Sequence, residues 1–297
     1  MREHFEDLLD RKGDYWKMIP TNERVVYSVD KEISDKEDVK IITVSKHHKN
    51  WKQIFEYPNI EELNLDQPSQ EQIQLISELN SIKRLRITSF RTKDIEFMKN
   101  FVNLEELALE YVSGFTDLSP LQHLAKLKCL HLENLRSISD FDGLSGIKKL
   151  KFLHIEGTLD WKQPINNFSF LAGLPDLEFF SLGLINCKSD FPAFLPVLEL
   201  KKLQYIRIGM ATLETPEFAF LETALPSVKK GFQKGFSWPL YTNIDYTDQG
   251  YVTLLGKGQG RVKVNKPGAS AKLEAFVKQY EEYKQAAIEI ISNYHKD

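Results

Sequence analysis

A six-residue pattern, apolar-x-x-apolar-x-apolar, recurs along most of the chain. It reads Val39/Ile42/Val44, Ile60/Leu63/Leu65, Ile82/Leu85/Ile87 and Leu104/Leu107/Leu109, then Leu127/Leu130/Leu132, Leu150/Leu153/Ile155, Leu177/Phe180/Leu182 and Leu203/Ile206/Ile208. Successive first positions differ by 21, 22, 22, 23, 23, 27 and 26 residues. The last two positions of each pattern are two apart, which predicts a strand with alternate side chains turned inward. Between patterns the apolar residues step by three, as in Phe115, Leu118, Leu121, Leu124 and Leu127, or Ile138, Phe141, Leu144, Ile147 and Leu150. That step predicts a short α or 3₁₀ turn with one edge on the core. Each repeat is then a strand, a turn and a helical return. Such a unit cannot bury its own apolar edge and must stack on its neighbours.

The repeats resemble the leucine-rich repeat family over roughly residues 39 to 228, and their spacing is similar to its 22-residue class, found in the phosphatase regulatory subunit and in bacterial proteins. The resemblance implies an α/β, right-handed leucine-rich-repeat solenoid. A parallel sheet would line the concave face of the horseshoe, with short α or 3₁₀ turns on the convex side. The chain departs from the family at one slot. Where the family carries an asparagine that bonds neighbouring backbones, this chain has Pro68, Phe90, Val112, Leu135, Thr158, Ile185 and Ala211.

A solenoid needs both open ends covered. Residues 1–38 read as an N-terminal cap, with a short helix at Phe5, Leu8 and Leu9 and a strand from Arg24 to Val29. Residues 39–230 form the solenoid of about eight repeats, and 231–297 a C-terminal cap. In that cap Tyr241 to Tyr246 reads as a strand. Tyr251 to Leu255 and Arg261 to Val264 flank the glycine-rich Gly256-Lys257-Gly258-Gln259-Gly260 and read as a hairpin. Leu273, Phe276, Val277, Tyr280, Ala287, Ile288 and Ile291 then fall at helical spacing, as an amphipathic helix suited to the last repeat.

Strand alternation also names the side chains facing away from the core. Equivalent residues on neighbouring strands lie about 4.8 Å apart, so they form columns. One column carries Phe152, Phe179 and Tyr205, an aromatic cluster of the kind that anchors partners. A second sets His131 beside His154, with Arg207 further along, and a third stacks Glu110, Glu133 and Glu156. Like charges at that spacing repel by roughly 1 kcal/mol in water and more near protein. Protonated histidines, a basic partner or a cation would offset the repulsion. Gly183 and Gly209 would leave the face open beside the glutamates.

With 39 basic and 42 acidic residues the net charge is −3, which carries no basic face for nucleic acid or anionic membrane. Two cysteines, an N-terminus without an apolar run and no stretch of about 18 apolar residues place the chain in the cytoplasm, outside any membrane. Catalysis has little support. Cys129 to His131 spans about 7 Å of strand and Cys129 to Glu133 about 13 Å, too far for a relay. The glycine-rich segment leads into a strand, whereas a phosphate loop opens a helix. His131, Glu133, His154 and Glu156 have atoms that bind divalent metal, but a flat strand face fans them apart. The expectation is a protein–protein interaction scaffold, not an enzyme, with no cofactor and no metal. It would hold another protein through His131, Glu133, Phe152, His154, Glu156, Phe179, Tyr205 and Arg207. An alternative is an inhibitor or immunity-type regulator that covers another enzyme's site, and a distant one is a metal-dependent enzyme.

Overall fold

The structure, a computed structural model, describes residues 27–231, 242–244 and 251–294. The helix expected at Phe5, Leu8 and Leu9, and the outer parts of the strands expected at 24–29 and 241–246, lie outside these residues. Eight parallel strands stand where the six-residue pattern places them: β2 (Ile41–Ser45), β3 (Glu62–Asp66), β4 (Arg84–Thr88), β5 (Glu106–Glu110), β6 (Cys129–Glu133), β7 (Phe152–Glu156), β9 (Phe179–Gly183) and β11 (Tyr205–Ile208). A short strand at each end, β1 (Tyr27–Ser28) and β12 (Lys229–Gly231), brings the sheet to ten among the described residues. The register has no slip. Leu107 pairs with Leu130 and Leu130 with Leu153, so every column predicted from the sequence is a column in space.

The turns between strands explain the apolar step of three. Leu121, Leu124 and Leu127 each donate an N–H to the carbonyl three residues back, at 3.0, 3.1 and 2.9 Å. That is the 3₁₀ bond, and its three-residue period returns every third side chain to the core. Leu118, Leu121, Leu124, Leu127, Phe141, Leu144 and Leu150 are all buried. Four of the turns are entered by a side-chain oxygen that accepts an N–H two residues on. Asp94, Asp117, Asp140 and Asn167 receive Glu96, Ser119, Asp142 and Ser169 at 3.1, 2.8, 2.8 and 2.9 Å. The Ser119 hydroxyl and amide hold the Asp117 carboxyl below the usual carboxylate range.

The missing asparagines are replaced in two ways. A residue with left-handed backbone follows several strands: Gln67, Ser89, Tyr111, Asn134 and Leu184, with φ between 48° and 56°. The first four send their N–H to the next rung, on Thr88, Glu110, Glu133 and Glu156, at 2.8 to 2.9 Å. The slot itself then turns inward, and Phe90, Val112, Leu135 and Ile185 join the core. The long repeat uses its extra residues for β8 (Gln163–Ile165), which pairs in parallel with β10 (Ile185–Cys187) on the flank. From β8 the buried Gln163 side chain accepts the Leu135 N–H at 3.0 Å and donates to the Ile138 carbonyl at 2.7 Å. It performs the bridging that the family asparagine would.

The last repeat carries an α-helix, α2 (Thr215–Ala224), the chain having one earlier α-helix among the described residues, α1 (Gln70–Ile76). β14 (Tyr251–Leu254) and β15 (Arg261–Lys263) form the predicted hairpin, with β13 (Thr242–Ile244) as a third antiparallel strand. Helix α3 (Ala269–Tyr294) lies against α2 through Phe276, Tyr280 and Ala287. The Tyr280 hydroxyl donates to Glu222 at 2.9 Å, and that of Tyr294 to Glu199 at 2.7 Å. Ile288, expected on the packed face, is exposed instead, because Ala287 takes the contact one position earlier.

Candidate functional site

The strand face opposite the core is the candidate site, and the parallel register assembles it. Phe152 pairs with Phe179 and Phe179 with Tyr205 across β7, β9 and β11. Their rings stack, with centroids 6.0 and 4.9 Å apart and planes 23° and 15° from parallel. The aromatic column is therefore real, but its middle ring is not exposed as expected. Phe179 is buried, because Phe152 and Tyr205 lie against it on either side, while those two remain half-buried.

The histidines behave similarly. His131 and His154 stack, and both are buried, whereas the strand face was expected to show them to solvent. Their ring nitrogens reach the glutamate column. His131 Nε2 is 3.7 Å from Glu110 and 3.4 Å from Glu133, and His154 Nε2 is 3.0 Å from Glu156. The expected repulsion between glutamates is met by a residue the sequence reading had not connected to it. Arg86, two strands from Glu133, donates to Glu110 Oε2 from Nε at 3.0 Å and from Nη2 at 2.5 Å. Glu133 is buried and Glu156 half-buried. Arg207 is half-buried at the far end of the histidine column, beside Ser181.

The gap foreseen at Gly183 is filled. A Cβ at Gly183 would meet Glu156 Oε1 at 3.0 Å and its Cδ and Cγ at 3.1 Å, so the glutamate lies across the glycine. A side chain at this position would have to displace the glutamate by a few tenths of an ångström. The donor atoms that converge best on a point are those of Glu110, His131 and Glu133, all within 4.8 Å of one another and buried. This is a smaller set than His131, Glu133, His154 and Glu156. The two histidines stack face to face, which sends their nitrogens to separate carboxylates. Cys129 is a buried thiol outside any disulfide, in the aromatic column next to Phe152.

Two features escaped the sequence reading. Gln163 sits in an insertion where no repeat marks its role. Glu217, in the first turn of α2, is a buried carboxyl that the amphipathic pattern does not single out.

No family model and no curated protein matches the chain. Among solved structures it is similar to an internalin from Listeria monocytogenes, at 23% identity and a TM-score of 0.46 over 64% of this chain and 54% of that one. It is similar to internalin C2 of the same bacterium, at 25% identity and a TM-score of 0.40 over 58% and 68% of the two chains. A third similarity is to an LRR protein from Leptospira interrogans, at 17% identity and a TM-score of 0.36 over 65% and 60%. The chain thus spans about half the length of the first internalin. No helix among the described residues is long and apolar enough to cross a membrane.

Proposed function

We propose that this coil, a solenoid of leucine-rich repeat architecture, is an interaction scaffold that takes a protein partner on the concave face of its sheet, across β6 to β11. Phe152, Phe179 and Tyr205 supply one apolar ridge. His131, Glu133, His154 and Glu156 form the polar strip beside it, and Arg207 receives an acidic group. The observation that carries this reading is the unbroken ring stack across three strands, with half-buried edges at Phe152 and Tyr205. Preordered aromatic surface loses little conformational entropy on binding, which is why such residues dominate interface energetics. Residues 1–38 and 231–297 act as caps. Two cysteines, too few for a disulfide framework, support a cytoplasmic setting, and the scaffold works by contact, without chemistry of its own.

The test is affinity capture from the native cell with the full chain as bait, then identification of the retained protein. Phe152→Ala with Phe179→Ala abolishes retention of that protein, with unchanged circular dichroism. Lys99→Ala, on the turn side, leaves retention intact. Undiminished capture by the double variant rejects this face.

A further inference from the structure

A cavity of about 310 Å³ opens on the flank of the coil, where β10, the loop after it, the turn into α2 and the C-terminal hairpin meet. It is assembled from distant parts of the chain. Lys257 and Gly256, in the glycine-rich turn, donate their N–H groups to the carbonyls of Leu213 and Met210 at 2.7 and 3.0 Å. The Thr215 hydroxyl donates to the Leu255 carbonyl at 2.9 Å. Gly256 has φ of +125°, and a Cβ there would meet Thr215 Oγ1 at 2.1 Å, so only glycine lets the hairpin come this close.

The wall is apolar, through Phe191, Leu213 and Pro216, and Phe191 is 41% exposed. Glu217 also lines the cavity and is 6% exposed. Its Oε1 accepts the Ala193 N–H at 2.8 Å, which fixes the carboxyl in place. The Phe194 amide is a second backbone donor acting on the carboxyl, and Oε2 is buried. A buried carboxylate is costly without a counter-cation. The other ionisable groups around the cavity do not supply one. Lys257 lies 3.7 Å from Glu214, Lys162 is exposed at the mouth, and burial pushes the Cys187 thiol up, keeping it neutral.

We propose that this cavity binds a small organic ammonium ion, its charged head against Glu217 and its apolar body between Phe191, Leu213 and Pro216. A cation compensates the buried charge, whereas an anion would be repelled by it. The Phe191 ring offers a further attraction to a cationic head. Metal is disfavoured here, because among the described residues no third metal-ligating group converges on Glu217. The volume is at the small end of ligand pockets, about 300–1,000 Å³, and suits an alkyl- or arylamine better than a nucleotide. Burial pushes the Glu217 carboxyl up to about 7, so amine binding ionises it and releases a proton.

The full chain, isotopically labelled, is titrated with phenethylamine and separately with 2-phenylethanol, following backbone amide shifts. Phenethylamine gives saturable shifts at Gly256, Lys257 and Glu217, and tighter binding at pH 8 than at pH 6. The alcohol, equal in shape but uncharged, gives none at the same concentrations. Glu217→Gln, which keeps the Ala193 bond, weakens the amine at least tenfold with an otherwise unchanged spectrum. Phe191→Ala, at an exposed position, weakens it severalfold. Absence of saturable shifts, equal binding of alcohol and amine, an unaffected Glu217→Gln or a reversed pH slope each overturns the proposal.

Discussion

The imidazole rings of His131 and His154 lie face to face, with centroids 4.8 Å apart and planes 9° from parallel. The relationship follows from register alone, since β6 and β7 place the two residues directly opposite and parallel strands repeat at that distance. Stacking directs the in-plane nitrogens outward to different carboxylates. His131 separates Glu110 from Glu133, and His154 engages Glu156.

Removing His131 should therefore cost more than its volume. His131→Ala opens a buried gap and leaves Glu110 and Glu133 facing each other. We expect a loss of about 3 kcal/mol, the range for buried side chains in a polar network. His131→Gln, which fills part of the space, should lose less. Urea midpoints of the two variants check this, and equal midpoints would show that the histidine is only filler.

Arg86 and Glu110 should behave as a coupled pair. With Glu110 buried, Arg86→Met strands a carboxylate, at a cost of about 3 kcal/mol. Arg86→Met with Glu110→Leu removes both charges, and stability should largely return. The double-mutant cycle measures the coupling. A double variant as unstable as the sum of the two single variants would mean that the pair does not hold the column together.

The sequence made the coil legible because its information is periodic. Eight strands, their inward residues and the aromatic, histidine and glutamate columns all follow from a strand alternation of two and a repeat near 22. Exposure did not follow. A pattern assigns Phe179 and His131 to the face away from the core but says nothing of how neighbours on that face cover one another. The pairing of Arg86 with Glu110 was hidden because it runs diagonally, between positions that no single column joins. Gln163 and the Glu217 cavity arise where repeats are interrupted or end, so no periodicity points to them.

The insertion gives a sharper test of backbone packing. A Cβ on Gly157 would lie 2.3 Å from the Leu184 carbonyl oxygen, 2.5 Å from the Gln163 nitrogen and 2.6 Å from the Trp161 oxygen. All three are backbone atoms and cannot swing aside. Gly157→Ala should therefore push β8 away from β10 and cost at least about 2 kcal/mol, within the range for overpacking. Gln163→Ala should cost about as much by another route, leaving the Leu135 N–H and Ile138 carbonyl without their partner. Hydrogen exchange at Leu135 and at β8 to β10 reads both. Unchanged protection in either variant would show the flanking sheet to be independent of that residue.

Glu217 should make stability fall as the solution becomes more alkaline. Its folded-state value of about 7 lies above the ordinary 4.5, and burial is the largest cause, outweighing the Ala193 and Phe194 amides that act the other way. Below about 4.5 the carboxyl is protonated in folded and unfolded chains alike, and nothing is lost. Between 4.5 and 7 the unfolded chain releases the proton while the folded one keeps it, so unfolding gains with each step of pH. Above 7 both forms are ionised and the penalty is complete, at about 3 kcal/mol from the 1.36 kcal/mol carried by each pH unit. Other carboxylates titrate over the same range, so the comparison must be differential. Glu217→Gln lacks the proton but retains the Ala193 hydrogen bond, and its stability relative to the native chain should rise from pH 4.5 to pH 7 and then level off. Paired urea denaturations across that range measure the difference. A flat difference would mean that the carboxyl ionises in the folded chain as freely as in water, and that the cavity it lines is wetter than its burial implies.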